Sequence, residues 1–184
     1  PLGKNLKYFG DGYQISKKIQ GKRFWRIPVM DGEFMCEEMT GRVPAIGGGN
    51  FLLLSKNRSS CLAACEVAVD VMSKIENIIT PFPGGVVRSG SKVGSKYKAL
   101  IASTNDAFCP SLSGITGSKL NKNVNCVMEI VINGLSVDDI NKGIKESLIA
   151  ISKSKYSKDI VSVSAGNYGG KLGQHHFHLR KILK

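Results

Sequence analysis

The fold is decided by the stretch Cys126-Val-Met-Glu-Ile-Val-Ile-Asn-Gly-Leu-Ser-Val-Asp-Asp-Ile140. Its first seven residues are apolar apart from one glutamate, which predicts a buried strand that stops at Asn133-Gly134. Ser136 with Asp139 forms a capping box, which predicts the start of a helix. The apolar stripe of that helix repeats at helical spacing and consists of Ile140, Ile144, Leu148 and Ile151.

A second strand and helix precede this stretch, and a further strand follows it. Residues 50–55 form an apolar run after three glycines, and Ser59 or Ser60 is the expected cap of the next helix. The predicted apolar stripe of that helix is Leu62, Cys65, Val69 and Met72. With a strand at residues 160–164, the order predicts an α+β fold of the ferredoxin-like split βαβ type. Its antiparallel sheet carries two helices on one face, and a long Gly-rich functional loop interrupts it.

The two ends of the chain also carry strand patterns. Residues 5–9 predict a strand, and residues 23–30 and 33–38 predict a hairpin around Asp31-Gly32. A last short strand is expected over residues 174–179, after a Gly-rich turn. A length of 184 residues with 42% apolar content requires no second core, so one globular unit is expected.

The net charge of +12 raises nucleic acid as a partner. The lysines are scattered over loops and polar helix faces, however, and no aromatic RNA-binding strand or Cys/His finger accompanies them. A solvated basic surface is therefore favoured over an RNA-binding module. The sequence has no run of about 18 apolar residues and no secretory signal at its start, which predicts a soluble, unexported protein without a membrane partner.

The cysteines and histidines give no pattern of metal ligands. The five cysteines are scattered and lack Cys-x-x-Cys spacing, which is typical of reduced intracellular thiols. Two of the three C-terminal histidines (175, 176 and 178) share a strand face, but no acidic or thiol ligand is near them in sequence. We expect no metal site.

Glu129 is the candidate catalytic residue. Strand alternation puts it on the same face as Val127 and Val131, where a carboxylate is poorly solvated and its pKa rises. Such a group can hold a proton near neutrality and act first as general acid and then as base. The alternative is a structural carboxylate paired with Lys or Arg at a contact between lobes or subunits.

Two segments rich in glycine supply candidate binding residues. Residues 81–122 are too long for an ordinary connection and lack the spacing of a Walker A loop. The segment 164–174 lacks the dinucleotide-binding G-x-G-x-x-G spacing. Their glycines permit close approach of backbone N–H groups to a ligand, although such segments are often only turns. The candidate substrate-binding residues are Lys92, Ser103, Asn105, Asp106, Asn167, Lys171 and Gln174.

A set of short motifs in fixed order resembles one family. The motifs are Tyr8-Phe-Gly-Asp-Gly-Tyr-Gln14, Gly32-Glu-Phe34, Gly48-Gly-Asn-Phe51, Pro81-Phe-Pro-Gly-Gly85, Ser89-Gly-Ser-Lys-Val-Gly-Ser-Lys96, Ser103-Thr-Asn-Asp-Ala107, Glu129-Ile-Val-Ile-Asn-Gly-Leu135 and Ser164-Ala-Gly-Asn-Tyr-Gly-Gly-Lys-Leu-Gly-Gln174. Together they cover nearly the whole chain and resemble the formylmethanofuran:tetrahydromethanopterin formyltransferase family.

The resemblance implies a function and a domain organisation. Family members have two α/β lobes, and residues 1–184 correspond to the carboxy-terminal lobe without the amino-terminal one. They transfer formyl between methanofuran and N5 of tetrahydromethanopterin, two substrates, without a bound cofactor. Glu129 matches the family's glutamate implicated as general acid/base. The resemblance also implies a cytoplasmic homo-oligomer, commonly a tetramer, with formylmethanofuran hydrolase or dehydrogenase subunits as further partners. A non-catalytic pterin-binding or assembly subunit is the alternative.

Overall fold

The computed structural model describes residues 1–115, 117–166 and 173–184. The chain divides into two compact units, Pro1–Pro44 and Ala45–Lys184. The expectation of one globular unit came from composition, which is an average and does not locate where contacts cluster along a chain.

The helices and strands are numbered in chain order. The helices are α1 (Gly3–Leu6), α2 (Arg58–Met72), α3 (Val137–Lys153) and α4 (Leu179–Ile182). The strands are β1 (Ile15–Ile19), β2 (Lys22–Val29), β3 (Gly32–Glu37), β4 (Ile46–Ser55), β5 (Ile78–Ile79), β6 (Ser91–Val93), β7 (Ala102–Thr104), β8 (Cys126–Gly134) and β9 (Ile160–Ser164).

The first unit contains a three-stranded antiparallel sheet in the order β1-β2-β3. The predicted hairpin is confirmed, but Val29 pairs with Gly32, so its turn is Met30-Asp31, one residue earlier than expected. Strand β1 was missed because all five of its residues are exposed and show no alternation of apolar and polar side chains. Its turn to β2 passes through Gln20 and Gly21, which have φ of 50° and 79°.

The strand predicted at residues 5–9 is wrong. This segment forms α1 followed by a 3-10 turn at Lys7–Gly10. The carbonyl oxygen of Leu2 accepts hydrogen bonds from the amides of Asn5 and Leu6, both at 3.0 Å. Local bonding therefore satisfies these backbone groups, and an alternation of so few residues does not distinguish a strand from a helical turn.

The second unit has the predicted ferredoxin-like topology. Its four-stranded sheet has the order β5-β8-β4-β9, and every pair is antiparallel. Along the chain the order is β4, α2, β5, β8, α3, β9. The α+β class is thereby confirmed.

Both helices pack on one face of this sheet, as predicted. The main core joins buried residues of α2 and α3 to Phe51, Leu53, Met128, Ile130 and Ile132. Ser136 caps α3 as predicted, accepting a hydrogen bond from the amide of Asp139 at 3.1 Å.

Helix α2 differs from the prediction at its cap and in part of its stripe. Asn57, rather than Ser59 or Ser60, is the cap, because its side chain accepts a hydrogen bond from the amide of Ser60 at 2.8 Å. Leu62 is 40% exposed, whereas Cys61 and Ala68 are fully buried. Small side chains allow the helix to lie close to its neighbours, so they occupy the packed face that the larger leucine was expected to occupy.

The final predicted strand is also wrong. Residues 173–178 form no strand, and α4 begins at Leu179. The carbonyl oxygen of His178 accepts hydrogen bonds from the amides of Lys181 and Ile182, so the backbone bonds locally. Nowhere in the described ranges is a helix both long and apolar enough to cross a bilayer.

Candidate functional site

Glu129 lies on the sheet face opposite α2 and α3. It pairs with Leu52 in the register of β4 and β8. Leu52, Leu54 and Val124 form the smaller apolar cluster on this face, with Val127 packed against them. The predicted apolar surroundings of Glu129 are therefore confirmed.

The carboxyl group of Glu129 is buried but hydrogen-bonded. Only 6% of the residue is exposed, and its Oε1 accepts a hydrogen bond from Asn50 Nδ2 at 2.5 Å. Burial raises the pKa of Glu129, because a charge in apolar surroundings loses its hydration, and the bond from Asn50 opposes that rise. The side chain is thus suited to holding a proton and giving it up.

Glu129 lines a cleft of about 730 Å³. One wall comes from α2, with Arg58, Leu62 and Glu66. The other walls come from residues 83–84, 86–90, 105 and 108–111 and from residues 125–129 around β8. Val87 contributes backbone as well, since it exchanges two 2.8 Å hydrogen bonds with the main chain of Glu129.

Asn105 is the predicted binding residue that the fold brings to this cleft beside Glu129. The backbone amide of Asn105 donates a hydrogen bond to the carbonyl oxygen of Gly90 at 3.2 Å. This bond joins the two residues that flank the β6–β7 hairpin, next to the cleft. The long loop therefore does contribute to the wall around Glu129.

Lys92 and Ser103 lie on the β6–β7 hairpin and Asp106 follows it, but none of the three is among the residues that line the cleft. Lys92 and Ser103 are opposite each other in β6 and β7, and Lys92 forms a salt bridge with Asp106. The hydrogen bond from Lys92 is the main reason why the pKa of Asp106 is lowered. The hydroxyl of Ser103 donates to the carbonyl oxygen of Gly94 at 2.7 Å. These contacts stabilise the hairpin itself.

Gln174 lies in a second cleft of about 360 Å³. That cleft is lined by residues 45–50, Gly166, Gly173, Gln174, His175 and Phe177. Asn50 belongs to this lining, although its side chain bonds to Glu129. Two further predicted binding residues, Asn167 and Lys171, lie outside the described residues.

Several residues of the site were missed from the sequence. Asn50, Arg58 and Arg88 had not been selected, although all three line one of the two clefts. Asn50 could have been found, because it is a polar residue inside a buried strand, just as Glu129 is. The arginines carried no such pattern, since their position in the cleft depends on how α2 and residues 83–90 fold against β8.

The glycines of Pro81-Phe-Pro-Gly-Gly85 serve packing as well as turn geometry. Gly85 has φ of 71°, and a Cβ there would lie 2.6 Å from Val69 Cγ2 of α2. Gly84 has φ of 64°, but a Cβ there would meet no atom within 4 Å. Gly85 therefore holds the cleft wall close to α2, a role that the sequence prediction had not assigned.

Two cysteines at or near the cleft, Cys126 and Cys61, are poor nucleophiles. Burial, followed by the nearby Cys61, raises the pKa of Cys126 to about 11, although Arg58 and Arg88 act in the opposite direction. The pKa of Cys61 is raised further, first by its hydrogen bond with Cys65 and then by burial. Across the parts of the chain that the structure describes, no three His, Cys, Asp or Glu side chains are grouped as a metal site.

Comparison with known families decides the assignment. Residues 32–182 match the family model of the proximal lobe of this formyltransferase, and residues 1–29 match the formylmethanofuran-tetrahydromethanopterin formyltransferase model. The chain belongs to the formylmethanofuran–tetrahydromethanopterin formyltransferase family. The resemblance carried by the sequence motifs is thereby confirmed.

Relatives within this formyltransferase family support the assignment over the whole chain. The enzyme of that name from Methylobacillus flagellatus is 61% identical over 99% of this chain and 60% of its own length. The crystal structure of the formyltransferase/hydrolase complex from Methylorubrum extorquens with methylofuran gives a TM-score of 0.74 at 45% identity, covering 99% of this chain and 61% of that one. The Methanosarcina barkeri formyltransferase gives 0.73 at 42% identity, covering 98% and 61%. The chain thus spans about 60% of the length of these relatives.

Proposed function

We propose that the protein transfers a formyl group between formylmethanofuran and N5 of tetrahydromethanopterin in one-carbon metabolism. The observation that carries the proposal is a buried carboxyl group, Glu129, with a raised pKa in a cleft large enough for a ligand. Relatives named for this reaction share 61% of the residues. Both carriers enter as substrates, and we propose that the protein holds no bound cofactor.

The reaction exchanges one nitrogen for another on the formyl carbon. N5 of the pterin attacks that carbon, and the carbonyl oxygen becomes an oxyanion in a tetrahedral intermediate. Collapse breaks the bond to the methanofuran nitrogen, which leaves as an amine and needs a proton, while N5 loses one. Glu129 acts as general acid towards the leaving amine and as general base towards N5.

Polar groups near Glu129 are the candidates for binding and for oxyanion stabilisation. Arg88 and Asn105 line the same cleft and would supply a positive charge and an amide donor. We propose Lys92, Ser103 and Asp106 as binding residues as well, because they lie within two residues of Gly90 or Asn105, which line this cleft. Gln174 would contact a carrier from the second cleft. We propose Asn167 and Lys171 as binding residues on the sequence motif alone.

Replacement of Glu129 by glutamine tests the mechanism. Glu129→Gln keeps the shape and removes the titratable proton, so formyl transfer by the full-length protein should fall about 10²- to 10⁴-fold. Binding of both carriers, measured by calorimetry, should persist. Glu146→Gln is the matched control, because it makes the same change on an exposed position of α3. Normal turnover in Glu129→Gln would exclude the proposed acid/base role.

The domain organisation is a second part of the proposal. We infer that residues 1–184 are the carboxy-terminal lobe of a protein that also has an amino-terminal lobe, because the relatives are longer. The open reading frame upstream of Pro1 tests this directly. If that lobe is absent from the organism, the chain is instead a pterin-binding or assembly subunit, and it should bind carrier without transferring formyl.

We propose that the protein is cytoplasmic and works as an oligomer, with a homotetramer as the assembly and hydrolase subunits as partners. Support comes from the formyltransferase/hydrolase complex of the Methylorubrum relative. The first unit also exposes several large apolar side chains, including Met30, Phe34 and Met35, which a partner subunit would cover. Sedimentation of the purified protein, alone and after co-expression with hydrolase subunits, measures both assemblies.

A further inference from the structure

Asn50 forms a bridge between Glu129 and the backbone of Gly166. Its Nδ2 donates to Glu129 Oε1 at 2.5 Å, and its Oδ1 accepts from the amide of Gly166 at 2.9 Å. Asn50 is only 5% exposed, so water does not compete well for either bond. The bridge therefore joins β8, β4 and the segment that follows β9.

The bridge fixes which end of the Asn50 amide faces the carboxyl group. A backbone N–H can only donate, so the side-chain oxygen must face Gly166. The NH₂ end is then left to face Glu129, where it donates. A donor at this point favours the carboxylate form, whereas burial favours the protonated form. The two effects act against each other on the same group.

The lack of a side chain at Gly166 leaves room for the side-chain amide of Asn50. A Cβ at residue 166 would lie 2.7 Å from Asn50 Nδ2 and 2.8 Å from Asn50 Oδ1. Real Cβ atoms do not approach so closely, so a side chain there would displace the amide. The backbone at Gly166 is thus fitted to the orientation of Asn50.

Asn50 is the main group that counteracts the effect of burial on the pKa of Glu129, although charged groups also line the cleft. Arg58 and Glu66 of α2 and Arg88 of the loop line the same cleft, together with the thiols of Cys109 and Cys126. The pKa of Glu129 nevertheless responds to burial and then to Asn50, not to these charges. Loss of the Asn50 bond should therefore move the titration of Glu129 to higher pH.

We infer that Asn50 is the positioning residue for Glu129, holding Oε1 and leaving Oε2 to exchange protons with the carriers. This inference rests on the proposed function of Glu129 for its catalytic meaning, although the hydrogen-bonded bridge stands without it. Because Asn50 and Gly166 also line the second cleft, a ligand bound there would touch the amide that orients the acid.

The experiment is a titration of Glu129 in the full-length protein. Glutamate labelled with ¹³C at its side-chain carboxyl gives one resonance per residue, and the spectrum of Glu129→Gln identifies the resonance of Glu129. In Asn50→Leu, and in Gly166→Ala, the midpoint should move to higher pH. The pH profile of kcat/KM should move in the same direction, with a loss of up to about 100-fold at neutral pH from misorientation.

Asn133→Leu is the matched control. Asn133 lies on β8, like Glu129, and its Oδ1 accepts a hydrogen bond from the amide of Gly48 at 2.9 Å, much as Asn50 accepts from Gly166. This variant also loses a bond to a backbone amide, so it accounts for general loosening of the sheet. The midpoint of Glu129 should be unchanged in it.

The outcomes separate the two proposals. An unchanged midpoint in Asn50→Leu and Gly166→Ala overturns the positioning role, whatever the activity. A shifted midpoint supports that role even if Glu129→Gln keeps normal turnover, a result that would contradict the proposed function instead. If Asn50→Leu does not fold, Gly166→Ala alone decides, because it leaves both hydrogen-bonding side chains in the chain.

Discussion

The two faces of the four-stranded sheet use alternate residues of the same strands for different purposes. Met128, Ile130 and Ile132 of β8 point towards α2 and α3 and join the main apolar core. Glu129, between them, points to the opposite face, where loops and one side of α2 border a cleft. One face is thus closed by regular packing, and the other is left open enough for chemistry.

This difference shows how a carboxyl group can be buried in apolar surroundings and still be reached by a substrate. A glutamate on the helix-covered face would be enclosed by tightly packed side chains and would have no route to a substrate. On the cleft face, Leu52, the strand partner of Glu129, helps to exclude water from around the carboxyl group, and the cleft still admits a ligand.

The largest expected effect is a loss of stability when either of two neighbouring leucines, on opposite faces of the sheet, is replaced by alanine. Leu53 is 0% exposed on the helix side, and Leu52 is 4% exposed on the cleft side. Leu53→Ala should lower the free energy of unfolding by about 5 kcal/mol and Leu52→Ala by about 3 kcal/mol, because the loops and water at the cleft can relax around the smaller side chain. Urea unfolding of both variants measures the difference. Equal losses would mean that the two faces are packed equally tightly.

A smaller effect is expected where the cleft wall contacts α2. Gly85→Ala and Gly84→Ala both place a side chain at positive φ, but only the first adds a clash with Val69. Gly85→Ala should therefore be less stable than Gly84→Ala by about 1–3 kcal/mol, the usual effect of overpacking. Thermal unfolding compares the two. Similar melting temperatures would show that the wall moves freely away from α2.

The smallest effect is a pH dependence of stability caused by Glu129. Burial raises the pKa of Glu129 in the folded protein, so the folded state holds this proton more tightly than the unfolded chain does. Its stabilising contribution is complete below the unfolded pKa of about 4.3 and is lost as the pH rises through the folded pKa. Relative to Glu129→Gln, the wild type should lose stability over this window.

Urea unfolding at a series of pH values measures the difference between the two proteins. Other carboxyl groups titrate in both and cancel, including Asp106 and Asp159, whose lowered pKa values act at more acidic pH. A constant difference across the window would contradict the raised pKa and would mean that the hydrogen bond from Asn50 fully offsets the effect of burial.

Much of the second unit was predictable because its signals are local. The run at residues 126–132, the cap at Ser136 and the stripe of α3 each depend on neighbours within a few residues. The same holds for the position of Glu129, since alternation along a strand assigns every residue to a face. The strands predicted at residues 5–9 and 174–179 were wrong, and the exposed strand β1 was missed, because such short segments carry little periodic pattern.

The site was only partly predictable, because its members come from distant segments. Asn105 was predicted on chemistry and does lie with Glu129. Lys92 and Asp106 were predicted on the same grounds, but they pair with each other in the hairpin. Asn50 was missed, although its side chain is hydrogen-bonded directly to Glu129.

The sequence by itself determined the order of the four-stranded sheet and its two helices in the second unit, the family and the buried face on which Glu129 lies, because periodicity and motif order are properties of the chain. Only the tertiary structure decided that Asn50 donates to Glu129, that Arg58 and Arg88 border its cleft and that Gly85 packs on Val69. The physical reason is that strand register and helix packing bring together residues far apart in sequence, and hydrogen bonds and close contacts are formed only at those distances.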